Sequence, residues 1–168
     1  MTESQNQTQN LPASITMSGK YLSFQLGKEL YGVAIMSVRE IIALLDITPL
    51  PDVPPYVKGV INLRGRIIPV VDLRARLGLE SVEHTEKTCI VVIEVQEDDD
   101  DELMQVGCVV DSVNEVMDLV DDQIETTLEF AQVSNVHAIQ GLAKLQNSDD
   151  VLALLDMGWV LSSMGRTA

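Results

Sequence analysis

The segment Asn62-Leu63-Arg64-Gly65-Arg66 places two guanidinium groups around a glycine, between the apolar runs at 59–61 and 67–71. A guanidinium is a planar fork that grips a carboxylate through two parallel hydrogen bonds, so the chemistry available at this tip is a held ion pair. Two readings of Arg64 stand: a solvated turn residue, or a partly buried guanidinium whose carboxylate partner fixes the loop at a binding surface. Gly65 supplies a positive φ at the tip. Asp72 and Asp156 each stand between a strand and a short helical segment. They read as N-caps, because a carboxylate there accepts orphan backbone N–H groups and suits the helix dipole. A catalytic carboxylate pair is the sharper alternative, but no nucleophile accompanies them. His84 and His137 are the two histidines, and neither has a second ligand at metal spacing. Cys89 and Cys108 lie inside apolar runs and read as reduced core residues. With no glycine-rich phosphate loop and no G-x-S-x-G elbow, no catalytic residue, metal or cofactor is assigned.

The elements that must position these groups are mostly strands. Apolar residues make up 46% of the 168, yet aromatics only 4%, so Val, Ile and Leu fill the core. Residues 1–18 are polar and read as a mobile tail. "KYLSFQLGKELYGVAI" reads as two strands around a turn at Gly27-Lys28-Glu29. "DITPLPDVPPYV" holds four prolines and is an ordered connector. "DLRARLGL" suits a short helix, and "TCIVVIEVQ" and "ELMQVGCVVDSVNEVMDL" are strands. Between them the six consecutive acids at 97–102 form an exposed loop, because like charges cannot face each other across a ladder. Trp159 sits at apolar spacing near the end and reads as core.

The chain repeats itself. "YGVAIMSVREII" from residue 31 matches "VGCVVDSVNEVM" from 106, with Gly, Ser, Val and Glu in register 75 residues apart. The hairpin around Arg64 then matches "GLAKLQNSDDVLALLDMGWVL": Gly59 aligns with Gly141, Leu63 with Leu145 and Asp72 with Asp156, with two extra turn residues in the second copy. Short strands with close turn signals point to two small barrels, approximately 19–79 and 80–163, with a possible chain crossing between them. A half of about 70 residues is marginal alone, so the halves share an apolar face. The second hairpin keeps the strands and drops the arginines, which marks Arg64 as serving something special to the first half.

Charge is divided as unevenly as the arginines. Residues 19–79 hold eight basic and five acidic residues, a local charge of +3, whereas 80–165 hold two and twenty, a local charge of −18. Such a chain repels nucleic acid and anionic membrane surfaces and suits polar protein contacts. No apolar run reaches the roughly 18 residues that span a bilayer, and no signal pattern opens the chain, so a soluble cytoplasmic protein is expected.

"YGVAIMSVREI", the proline connector, "VKGVINLRGRIIPVVDLR" and "VLALLDMGWVL" resemble the CheW-like family of bacterial chemotaxis coupling proteins and kinase regulatory domains. The resemblance runs from about 19 to 163, one domain followed by a tail at 164–168. It implies a mainly β fold of two five-stranded SH3-like barrels on a shared core, with a few short helices. It further implies a non-catalytic adaptor, located in the cytoplasm at receptor arrays. Its implied partners are the regulatory domain of the histidine kinase CheA and the cytoplasmic tips of methyl-accepting chemoreceptors. On this resemblance Glu40 is the partner of Arg64, and the receptor-binding set is Val38, Glu40, Gly59, Asn62, Arg64, Val110 and Val113. Val38 would line an apolar groove between the barrels, with Val110 and Val113 on the opposite wall. Asp111 and Glu115 in that segment are not assigned. Gly59 remains open between a turn role and a close contact with another chain.

Three functional readings are distinguished by their needs. An enzyme or small-molecule sensor requires a cofactor loop, metal cluster or nucleophile, which the sequence does not offer. An adaptor of chemotaxis requires two protein surfaces. The adaptor of a parallel chemosensory or surface-motility array would carry the same motif.

Overall fold

The computed structural model describes residues 17–96, 103–126, 137–146 and 148–162. The acidic loop 97–102, the tail 164–168 and most of the tail 1–18 lie outside the described residues. Met17 and Ser18 do not behave as tail: the Tyr21 hydroxyl donates to the Met17 carbonyl at 2.7 Å and the Ser18 amide to Asp121 at 3.2 Å.

Among the described residues, eleven strands and two single-turn helices follow one another as β1 (Gly19–Leu26), β2 (Glu29–Ala34), β3 (Val38–Ala43), β4 (Val57–Leu63), β5 (Arg66–Asp72), α1 (Leu73–Arg76), β6 (Cys89–Gln96), β7 (Leu103–Val110), β8 (Ser112–Leu119), β9 (Ile124–Thr126), β10 (Ile139–Lys144), β11 (Val151–Leu155) and α2 (Met157–Val160). They build two SH3-like barrels. One sheet runs β3-β6-β7-β5-β4, and the other β8-β1-β2-β11-β10 with the three-residue β9 added as a sixth strand.

The sheets do not follow a division of the chain at 79/80. Each takes a hairpin from one repeat and its remaining strands from the other, so β1 and β2 join strands from 112 onward, while β6 and β7 join β3, β4 and β5. The run from Tyr31 to Ile42, continuous in apolar pattern, is cut by a 3-10 turn at Ile35–Ser37 where the chain passes between sheets. Its counterpart is cut at Asp111, between β7 and β8. Parallel pairings seal the exchange, Gly32 opposite Leu154 and Gly107 opposite Val70. The repeated glycines are where side chains of the facing strands leave no room. A Cβ on Gly107 would stand 2.8 Å from the Ile90 Cγ2, and one on Gly32 3.1 Å from Leu152 and Leu154.

Strand alternation sorts the apolar residues into three cores. On β6, Ile90 and Val92 point into their own barrel with Ile61, Ile68 and Val70. Val91 and Ile93 point the other way, into a central core shared with Leu22, Phe24, Val33 and Leu155 of the second sheet. Tyr21, Leu119, Leu152 and Leu154 fill the second barrel. Because β6 is buried on both faces, its sequence is an unbroken apolar run rather than an alternating one.

The two helices close the central core in matching ways. The Asp72 carboxylate accepts the Arg74 amide at 3.0 Å and the Asp156 carboxylate the Trp159 amide at 3.1 Å, so both aspartates are N-caps. Their own amides donate to Tyr56 and Ala138. Asp72→Ala or Asp156→Ala is expected to lower stability by about 1 kcal/mol, read as a reduced urea midpoint at unchanged slope. Arg76 of α1 lies over the rings of Tyr56 and Trp159, 5.0 and 4.2 Å from their centroids, and its Nε donates to the Val160 carbonyl at 2.8 Å. A single guanidinium thereby ties the end of α2 to α1.

Candidate functional site

The pairing of β4 with β5 ends at Leu63 opposite Arg66, leaving Arg64 and Gly65 as a two-residue turn. Both have positive φ, 54° and 87°, the type I′ geometry that matches strand twist. The exposed Asn62 holds the turn by accepting the Gly65 amide at 2.9 Å. Arg64 thus occupies a conformation that favours glycine, which fixes the direction of its side chain across the barrel rim.

Its target is Glu40 on β3. The two nitrogens Nη1 and Nη2 donate to Oε2 and Oε1, each at 2.7 Å, a bidentate clasp. A bulge between Val38 and Glu40 aims this carboxylate. Since β3 and β4 are the two edges of the five-stranded sheet, the clasp bridges the place where the barrel would otherwise gape. The Arg64 hydrogen bonds hold the Glu40 carboxyl below its ordinary range, and the same bonds raise Arg64. The guanidinium is not partly buried: the Arg64 side chain is 69% exposed and that of Glu40 28%. A hairpin tip has nothing packed above it, so the pair orders a surface more than it stabilises the fold.

Gly59 is buried, and the backbone that approaches it belongs to this chain. Its φ is 142°, and a Cβ there would lie 2.0 Å from the Thr48 carbonyl oxygen. The proline connector bends over it and bonds to Val60 in both directions, at 2.8 and 2.9 Å. The close backbone approach at Gly59 is thus made by the connector of this same chain. Val38 and Val113 are half-buried on the central core at matching positions of the two barrels. Val110 is fully buried, because strand alternation turns it into that core, and it cannot wall an open groove.

Asp111 is the site-adjacent residue that the sequence left unassigned. Its carboxylate takes two bonds from Arg74, at 3.0 and 2.5 Å, and one from the Gly27 amide at 2.6 Å. This joins the β1–β2 turn of one barrel to α1 beside the other. The repeat breaks here: Met36, the counterpart of Asp111, is 92% exposed, and the counterpart of Arg74 is Gly158. The Arg74 bonds push the Asp111 pKa down. A carboxyl with a depressed folded pKa contributes stability above its unfolded pKa of about 3.9 and loses it as pH falls through the folded value. Asp111→Asn is accordingly expected to have a lower urea midpoint than the parent at pH 7, with the gap closing in strong acid. A gap independent of pH would rule out the ion pair as its cause.

Burial raises the pKa of both thiols, that of Cys108 to about 12, which suits inert core cysteines. Among the described residues no three His, Cys, Asp or Glu side chains gather as metal ligands, and no helix is long and apolar enough to cross a membrane.

Comparison with known proteins agrees with this architecture. The CheW-like domain model matches residues 20–164. The chain is 35% identical over 151 residues to the chemotaxis protein CheW of Klebsiella aerogenes, covering 90% of this chain and 86% of that one. It is 33% identical over 160 residues to the CheW of Rhizobium meliloti, covering 95% and 98%. The solved structure of the scaffolding protein TtCheW from Thermoanaerobacter tengcongensis superposes with a TM-score of 0.75 at 28% identity, covering 90% of this chain and 98% of that one. Those relatives are named as chemotaxis and scaffolding proteins, not as enzymes. The chain belongs to the CheW-like family.

Proposed function

We propose that this protein is a non-catalytic adaptor that couples transmembrane chemoreceptors to the histidine kinase CheA, working in the cytoplasm at receptor arrays as one domain over residues 19–163. The observation that carries this reading is the solvent-exposed, bidentate Arg64–Glu40 clasp on a strained turn. An ion pair so exposed adds little to folding, and its arrangement suits presentation of a fixed surface to a partner. Val38 and Val113, half-buried at the seam between the barrels, offer apolar footing for the side of a receptor helix. Asn62 holds the tip, while Gly59 and Val110 support the surface from beneath. The mildly basic first half suits a barrel of the kinase regulatory domain, and two molecules built alike can alternate head to tail.

Mixing the purified protein with a CheA-type kinase and receptor cytoplasmic fragments tests the proposal. A ternary complex in which receptor state controls autophosphorylation is expected. Failure of the three to assemble would overturn it. If the charge asymmetry guides docking, kinase affinity falls as salt rises, and affinity indifferent to salt would remove the electrostatic part.

A further inference from the structure

The two barrels are built on one pattern and differ in what fills one position. β3 and β8 are corresponding edge strands, each paired to the first strand of a hairpin, β6 and β1. Each bulges at the same step, between Val38 and Glu40 in one and between Val113 and Val116 in the other. Glu115 therefore stands in the second barrel where Glu40 stands in the first. In the first barrel Arg64 reaches from the hairpin tip and grips that glutamate. In the second the corresponding tip, from Leu145 to Asp150, contains no arginine.

What lies there instead is an open cleft of about 530 Å³, lined by Asn114, Glu115 and Asp118 from β8 and by Gln146, Ser148 and Asp150 from the tip. Lys20 is paired with Asp118 at 3.0 Å, and among the described residues no cation is paired with Glu115 or Asp150. We propose that this cleft receives the arginine side chain of a partner protein, presented on a turn, and that Glu115 grips its guanidinium as Glu40 grips Arg64. The molecule itself shows what a glutamate at this position of the barrel holds. The cleft itself carries the carboxylates of Glu115, Asp118 and Asp150, which favour a cationic partner. Side-chain amides beside the carboxylates suit the planar fork of arginine better than the point charge of lysine, and the volume admits a turn rather than a lone side chain. This site goes beyond the adaptor reading and does not depend on it.

The test titrates the ¹⁵N-labelled full chain with the pentapeptide Asn-Leu-Arg-Gly-Arg, the sequence of its own clasped tip, and with Asn-Leu-Lys-Gly-Lys. Saturable shifts are expected at the Asn114 and Gln146 side-chain amides, with the lysine peptide about tenfold weaker. Glu115→Gln is expected to weaken the arginine peptide about tenfold as well, by removing the charge-assisted bonds. Ser148→Arg, which supplies a guanidinium from the chain's own tip, is expected to exclude the peptide. Shifts that do not saturate, equal affinity for the two peptides, or binding unaffected by Glu115→Gln would each overturn the proposal.

Discussion

Arg64→Glu is expected to leave the protein folded and to abolish receptor-dependent control of the kinase. The side chain is 69% exposed and packs in none of the three cores, so its replacement removes no buried surface. What it removes is the fork on Glu40, and it sets two carboxylates against each other across the edge between β3 and β4. The strands stay paired, since their ladders run to β5 and β6, but the rim loses its fixed shape and reverses its charge. A partner that reads that surface loses both, and interface charge reversals of this kind cost several kcal/mol in binding. The expected readout is an unchanged circular dichroism spectrum, a melting temperature within a few degrees of the parent, and no receptor-dependent change in autophosphorylation. The double variant Glu40→Arg with Arg64→Glu restores the pair in reverse. Recovery of coupling there would assign the role to geometry, and continued loss would assign it to the sign of the charge. Normal coupling by Arg64→Glu alone would remove the clasp from the function.

Gly59→Ala is expected to act in the opposite manner, through stability. A Cβ 2.0 Å from the Thr48 carbonyl oxygen and 2.9 Å from the Pro49 Cα meets backbone, which cannot rotate away as a side chain can. Either the connector lifts, breaking the two bonds between Thr48 and Val60, or β4 shifts and loses its register with β5. The positive φ adds strain on top of the clash. Together these are expected to cost about 3 kcal/mol or more, a large share of the roughly 5–15 kcal/mol that holds a domain folded. Gly65→Ala provides the comparison: its φ is also positive, yet nothing lies within 4 Å of the added Cβ, so only the turn conformation is penalised. A loss of about 1–2 kcal/mol is expected there. Equal urea midpoints for the two alanine variants would show that the connector yields freely over Gly59.

The local features were legible because each rests on a few neighbouring residues. Gly65 beside Arg64 announced a positive φ at a hairpin tip, and Asp72 and Asp156 announced caps, since these positions reward specific side chains whatever lies beyond. The repeat was legible too, and with it the mainly β fold of two barrels. The role of Gly59 was readable only in part. A glycine there signals a close approach, but its own letter does not say which backbone comes near. The resemblance placed Val110 on a groove wall as the second-half counterpart of Ile35, yet Ile35 is half-buried in the structure and Val110 is fully buried. Burial is a property of the packed pair of barrels, not of the segment.

What the sequence by itself determined is the set of elements, their turns and caps, and the likeness of the two halves, because backbone propensity and strand alternation act over a few residues. The tertiary structure alone decided which strands belong together. A pattern that is apolar on both faces, as in β6, satisfies either sheet equally well. The choice falls to the central core, which both sheets bury only when each barrel borrows strands from the other half. The same choice placed Asp111 on Arg74 and Arg76 between Tyr56 and Trp159, pairs drawn from distant segments. It also set Glu40 within reach of Arg64, because bringing β3 and β4 to opposite edges of one sheet is what makes a clasp between them possible.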